Sequence, residues 1–178
     1  MKKLALIYGS IAGIICIGMF FVNNPPAQGF DPDNLKNGEL IGYTTMLISL
    51  STIFLATKQF RDKELGGTIK FGKALLLGLS ITAVAGLFYV VGWEIYQSMT
   101  PANFMEQYME YEKGQMLESG KTQQEVDAYF ESQAGMMELY QNNTPFRMGL
   151  TFLEIFPVGL LISLINGLVF GVILKPKK

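Results

Sequence analysis

Four long apolar stretches, separated by polar segments, dominate the pattern of hydrophobic and polar positions along the chain. The first covers residues 4–22, and at about 1.5 Å of rise per residue its helix would reach roughly 28 Å, close to the thickness of a hydrocarbon core. A cleaved signal peptide is the alternative for this run, but no small-x-small cleavage site follows it. Similar runs over residues 40–57, 71–96 and 148–174 predict three further spans. We therefore predict an all-α polytopic membrane protein, with four transmembrane helices in a single membrane domain.

One segment, at about residues 100–142, has the pattern of soluble protein. Pro101 suits the first position of a helix, and aromatic residues then recur at helical spacing until Gly120. Thr122 and Glu125 have the spacing of a capping box at the start of a second helix. We predict an extracytoplasmic helical hairpin that packs on itself and on the mouth of the bundle. A binding groove along its Met and Tyr stripes is the alternative.

Basic residues fall almost wholly on one side of the predicted spans. That side has Lys2, Lys3, Lys58, Arg61, Lys63, Lys70, Lys73, Lys175, Lys177 and Lys178. The positive-inside rule places this side, with both the N- and C-termini, in the cytoplasm. The basic residues of the 58–73 connection would also favour anionic lipids, by about 1 kcal/mol for each group near the surface.

Small residues recur at every fourth position in two of the predicted spans. The stripes are Ala74, Gly78, Thr82 and Gly86 in the third span, and Gly159, Ser163, Gly167 and Gly171 in the fourth. Small side chains let helix backbones approach closely in lipid, so these stripes predict helix contacts. The second span is rich in Ser and Thr, whose hydroxyls bond their own helix or a neighbour, and we expect it inside the bundle.

Three carboxylates fall near the same predicted membrane face. Glu39 starts the second span, Glu94 ends the third, and Glu154 lies about two turns into the fourth. A carboxylate in a span is unfavourable by about 2–3 kcal/mol at mid-bilayer, so it is normally paired or hydrated. We hypothesise an outward-facing acidic vestibule that binds a cation or a proton. The alternative is that Glu39 and Glu94 are interfacial charges and Glu154 is held by one hydrogen bond or ion pair.

The surroundings of Glu154 limit this hypothesis. Pro157 weakens the fourth helix and could free a backbone carbonyl to join the site. On an ideal helix Glu154 lies opposite Ser163, so it needs the Pro157 bend or another partner if the small stripe faces the bundle. The candidate supporting residues are Lys36, Tyr43, Tyr96 and Arg147.

The sequence contains no recognisable catalytic motif. The chain has no histidine, which excludes zincin motifs and Ser-His triads, and its lone cysteine, Cys16, lies within the first span. No motif for a cofactor or a metal is present, and no basic patch indicates nucleic acid. We therefore predict a non-enzymatic accessory or structural membrane component, working with a second copy or another membrane subunit. The alternative is a small cation- or proton-binding transporter or channel-like protein.

These two classes make different structural predictions. A structural component should present small-residue faces on the outside of its helices. A transporter needs Glu39, Glu94 and Glu154 to converge in a water-accessible cavity.

Four segments resemble a known family of bacterial membrane proteins, grouped as domain of unknown function 4199. They are residues 39–46 (ELIGYTTM), 58–74 (KQFRDKELGGTIKFGKA), 92–96 (GWEIY) and 152–159 (FLEIFPVG). The resemblance runs nearly end to end. It implies a small four-span protein of the cytoplasmic (inner) membrane of Gram-negative bacteria, and it brings no activity, cofactor or catalytic residue.

Overall fold

Most of the described chain is helical. The computed structural model describes residues 1–23, 25–26, 31–32 and 38–174, except for the side chain of Glu39; Lys36, Lys175, Lys177 and Lys178 therefore lie outside it. This part of the chain has no strands, which confirms the all-α prediction. Its helices are α1 (Lys2–Asn23), α2 (Gly38–Leu50), α3 (Thr52–Glu64), α4 (Phe71–Met99), α5 (Phe104–Glu118), α6 (Gln123–Asn142) and α7 (Thr144–Leu168), which continues as a π-helical turn over Val169–Ile173.

Four helical stretches are long and apolar enough to cross a membrane, as predicted. Span 1 is Lys2–Asn23, span 2 is Leu40–Glu64, span 3 is Phe71–Met99 and span 4 is Thr144–Ile173. Span 2 contains both α2 and α3, which meet at Ser51. All four extend somewhat beyond the apolar runs because the flanking polar residues continue the same helices.

Neighbouring spans run in opposite directions. Between spans 1 and 2, Tyr8 donates a hydrogen bond to Gln59 at 2.8 Å, and Cys16 lies 2.9 Å from the hydroxyl of Ser49. The two pairs are in antiparallel order along the chain. One end of the bundle, which we call the N-terminal end, contains Met1 and the turn between spans 2 and 3. The other, the hairpin end, contains α5 and α6.

Spans 3 and 4 pack together through the two predicted small-residue stripes. A methyl group at Gly78 would lie 2.6 Å from the Oγ of Ser163, and one at Gly159 would overlap the side chain of Thr82. Contacts this short leave no room for a side chain. The predicted helix contact is confirmed, and both stripes face the inside of the bundle.

Span 3, and not span 2, is the most buried helix. Half of its apolar window (50%) is buried, against 33% for span 2, so span 2 lies less deep in the bundle than expected. The hydroxyls of span 2 mostly bond their own backbone: Thr45 donates to the Ile41 carbonyl, and Ser51 donates to that of Leu47. Because such bonds satisfy the hydroxyls locally, these residues need no place in the interior.

The predicted capping box at the start of α6 is confirmed. The backbone N–H of Thr122 donates to the Glu125 carboxylate at 2.8 Å, and the N–H of Glu125 donates to the Thr122 hydroxyl at 3.3 Å. The bond from the Thr122 backbone N–H, and after it a bond of 2.9 Å that the Thr122 hydroxyl donates to the same carboxylate, lower the pKa of the Glu125 carboxyl. The box is therefore fully formed at neutral pH, and it fixes where the second hairpin helix begins.

We predict that Gly78→Leu lowers the thermal midpoint of the purified protein in detergent, because the new side chain must separate spans 3 and 4. Overpacking of this kind costs about 1–3 kcal/mol. Gly72→Leu is the matched control, since Gly72 is in the same helix and has no neighbour within 4 Å of an added methyl group. Equal midpoints for the two variants would contradict this packing.

Candidate functional site

A cavity of about 650 Å³ lies within the hairpin end of the bundle. All four spans contribute to its walls, and α5 covers it. Its lining includes the carboxylates of Glu112 and Glu154, and no lysine or arginine of the described chain. A cavity with two acids and no base attracts positive charge.

Aromatic side chains make up much of the lining. They are Phe20, Tyr43, Tyr89, Trp93, Tyr96, Phe104, Tyr108 and Tyr111. Two of the supporting residues predicted from the sequence, Tyr43 and Tyr96, are therefore brought to the cavity. Ring faces carry the negative part of an aromatic quadrupole, so this lining adds to the attraction for cations.

Trp93 is held firmly in the cavity wall. Its indole N–H donates to the Tyr140 hydroxyl at 2.8 Å, which also accepts from Gln97 at 3.1 Å. Its ring stacks on Tyr96 with centroids 5.5 Å apart and meets Phe20 edge-on at 4.9 Å. Burial raises the pKa of Tyr140, which keeps this hydroxyl neutral at physiological pH.

Glu154 reaches the cavity from span 4. The Tyr89 hydroxyl donates to its Oε2 at 3.1 Å, and the side chain stays exposed although Ile155 and Gly159 beside it are buried. Helix geometry required either the Pro157 bend or another partner for Glu154, and Tyr89 on span 3 is such a partner. Pro157 lies inside α7, one turn after Leu153, and does not line the cavity.

Glu94 and Arg147 form a separate, two-pronged ion pair. The Arg147 Nε lies 2.8 Å from Oε1 of Glu94, and Nη2 lies 2.6 Å from Oε2. Nη1 also donates to the backbone carbonyl of Tyr140 at 3.0 Å. The pair joins the end of span 3, the end of α6 and the start of span 4, and neither residue lines the cavity. Of the predicted carboxylates, Glu94 and Glu154 are therefore not brought together in the cavity.

Glu39 lies in the first turn of α2, next to Gly38 and close to Ile41, both of which line the cavity. Its side chain is outside the described residues, so its predicted role stays a prediction. Glu112 is a lining acid that the sequence reading missed. Its position four residues after Tyr108 puts it on the inward face of α5, and that spacing was the available signal.

Among the described residues, no group of three His, Cys, Asp or Glu side chains could hold a metal ion. The arrangement instead offers single carboxylates beside ring faces and hydroxyls. Such a cavity can bind and orient a positively charged group.

We predict that Arg147→Met destabilises the protein by about 1.5–3 kcal/mol, the usual size for hydrogen bonds to a charged group. The same substitution in a Glu94→Gln background should cost clearly less, because the carboxylate it leaves unpaired is already gone. Thermal unfolding of the two single variants and the double variant in detergent measures this coupling. If the effects of the two substitutions on the free energy of unfolding are additive, the ion pair contributes nothing to stability.

No curated protein matches the chain, and no solved structure matches it. The family model described as "Protein of unknown function (DUF4199)" matches residues 7–171, which include both hairpin helices, the whole of spans 2 and 3, and most of spans 1 and 4. The chain therefore belongs to the DUF4199 family of proteins of unknown function.

Proposed function

We propose that this protein is a multi-pass membrane protein that binds a cation in the cavity at its hairpin end, with Glu154 as the principal acid. The observation that carries the proposal is an exposed carboxylate within a span, facing a cavity whose described lining has no basic residue. An ionisable group at such a depth is unfavourable unless something compensates its charge. A bound cation compensates it directly.

The interior favours one-ended binding over a channel. Polar contacts occur near the cavity, where Cys16 meets Ser49, and near the other end, where Asn166 donates to Thr57 at 3.0 Å. Between these two levels lie fully buried apolar side chains from spans 2 and 3: Leu50, Ile53, Leu77 and Ile81. Apolar side chains packed without gaps give ions and water no path. A ligand thus enters and leaves the cavity from the hairpin end. Passage to the N-terminal end would require a conformational change of the bundle.

A purely structural or accessory role has less support. Such a component would use small-residue faces on the outside of its helices to bind neighbours in the membrane. Both stripes are used within this chain, where Gly78 meets Ser163 and Gly159 meets Thr82. The inward position of the stripes therefore favours the binding role.

We assign the protein to the bacterial cytoplasmic membrane, with both termini inside and the hairpin outside. The described basic residues at the N-terminal end support this orientation: Lys2, Lys3, Lys58, Arg61, Lys63, Lys70 and Lys73. The same groups would hold anionic lipids at that face. The cavity then opens toward the outer side of the membrane.

We predict that a cation raises the thermal midpoint of the wild-type protein and leaves that of Glu154→Gln nearly unchanged. The probes are sodium, potassium, calcium and choline chlorides, tested separately at equal ionic strength. A ligand at 100 times its dissociation constant stabilises the folded state by about 2.7 kcal/mol. Glu131→Gln is the control, since Glu131 is an exposed hairpin acid outside the cavity. If every salt acts equally on all three proteins, Glu154 holds no cation.

We predict that a membrane-impermeant maleimide added to intact cells labels Ser119→Cys and not Lys63→Cys. Both side chains are exposed, Ser119 in the hairpin turn and Lys63 near the end of span 2. The unmodified chain is the control because its own cysteine, Cys16, is buried. Labelling of the Lys63 variant alone would reverse the assigned orientation.

A further inference from the structure

We propose that the cavity takes an organic ammonium group, and that the rings of its wall recognise the cation together with Glu154. This inference deepens the proposed function, because it rests on cation binding at Glu154 and adds the chemical class of the ligand. The shared chemistry is an alkylated or primary ammonium head, carried either by a free small molecule or by a lipid headgroup.

The size of the cavity is the first argument. Its volume of about 650 Å³ lies well inside the range of about 300–1,000 Å³ that is usual for pockets binding small organic molecules. One water molecule has a share of about 30 Å³ in the liquid, so a bare inorganic ion would leave most of this space to water. An organic cation fills it with its own atoms.

The donor set is the second argument. Hard inorganic cations such as calcium take six to eight oxygen ligands, several of them carboxylates. The described chain has no group of three His, Cys, Asp or Glu side chains that could hold a metal ion, and the acids of the lining come singly from span 4 and from α5. An ammonium head needs far less, namely one nearby carboxylate and ring faces within about 6 Å.

The rigidity of the wall is the third argument. Tyr89 is fixed by its hydrogen bond to Glu154, and Trp93 is fixed by Tyr140 and by its stacking on Tyr96. Rings that are already in place lose little freedom when a ligand arrives. The cation therefore meets a preformed surface that has its one anchoring charge at Glu154.

Tyr43 supplies a residue that can be tested without disturbing the bundle. It lines the cavity from span 2, and 53% of its surface is exposed, so its removal opens no hole in the core. Tyr43→Leu removes the ring, whereas Tyr43→Phe keeps the ring and removes only the hydroxyl. A cation–π contact distinguishes the two.

The test uses the full-length protein in nanodiscs of phosphatidylglycerol, a lipid without an ammonium group. Trp93 is the only tryptophan of the chain, so in discs whose scaffold protein lacks tryptophan its fluorescence reports on the cavity. Choline is titrated against its uncharged isostere, 3,3-dimethyl-1-butanol, and against sodium and calcium chlorides at equal ionic strength. We expect saturable binding of choline, at least tenfold weaker binding of the alcohol, and no saturable response to the inorganic salts.

The variants complete the test. Glu154→Gln should abolish choline binding, Tyr43→Leu should weaken it about three- to tenfold, and Tyr43→Phe should leave it close to wild type. Each variant is first checked for a wild-type thermal midpoint. Equal binding of choline and the alcohol, or an equal loss in both Tyr43 variants, would overturn the organic-ammonium proposal.

The outcomes also separate this inference from the proposed function. If sodium or calcium binds in a Glu154-dependent way and choline does not, cation binding stands and the ammonium assignment fails. If no cation binds, both fail. Repeating the titration in nanodiscs with phosphatidylethanolamine identifies the source: a lower apparent affinity for choline supports a lipid headgroup as the occupant, and an unchanged affinity supports a free ammonium compound.

Discussion

The close contact between spans 3 and 4 is the constraint on which the rest of the structure depends. Within lipid, helices gain no hydrophobic free energy by associating, so their association depends on close van der Waals packing. Gly78 against Ser163, and Gly159 against Thr82, bring the two backbones near enough for this. The same approach brings Tyr89 within reach of Glu154. The helix contact and the cavity wall are thus two results of one packing arrangement.

A second set of contacts, polar ones, holds the hairpin helix α6 against spans 3 and 4 at the hairpin end. Tyr140 of α6 accepts hydrogen bonds from Trp93 and Gln97 of span 3, and its carbonyl accepts one from Arg147 of span 4. The hairpin helix α6 is therefore hydrogen-bonded to Trp93, one of the aromatic residues that line the cavity. Each of these bonds satisfies a group that would otherwise be unpaired near the membrane. The hairpin consequently helps to shape the cavity that α5 covers.

Features that depend on local spacing could be predicted from the sequence, and features that depend on three-dimensional packing could not. The four spans, the small stripes and the capping box at Thr122 each follow from residues within a few turns of one another. The pairing of Tyr89 with Glu154 could not be predicted in this way, because 65 positions separate the two residues and only the packing of two helices brings them together.

The errors have the same origin. Span 2 was expected inside the bundle on account of its hydroxyls, but composition does not tell whether a hydroxyl bonds its own helix, as Ser51 does, or a neighbour. Glu94 was grouped with Glu154 because both lie toward one membrane face. Depth along the membrane normal says nothing about direction around a helix, and Glu94 points to Arg147.

The free energies at Glu154 show how this residue affects the stability of the bundle. An acidic side chain at the centre of a span is unfavourable by about 2–3 kcal/mol, and less toward the interface. One hydrogen bond to a charged group returns about 1.5–3 kcal/mol, so the Tyr89 bond is of about the same size as this penalty. An apolar side chain at the same position would carry no such penalty, and it would leave the Gly78 and Gly159 contacts intact. Glu154 therefore adds little net stability to the bundle, and what distinguishes it from a leucine is a carboxyl group beside the aromatic side chains of the cavity.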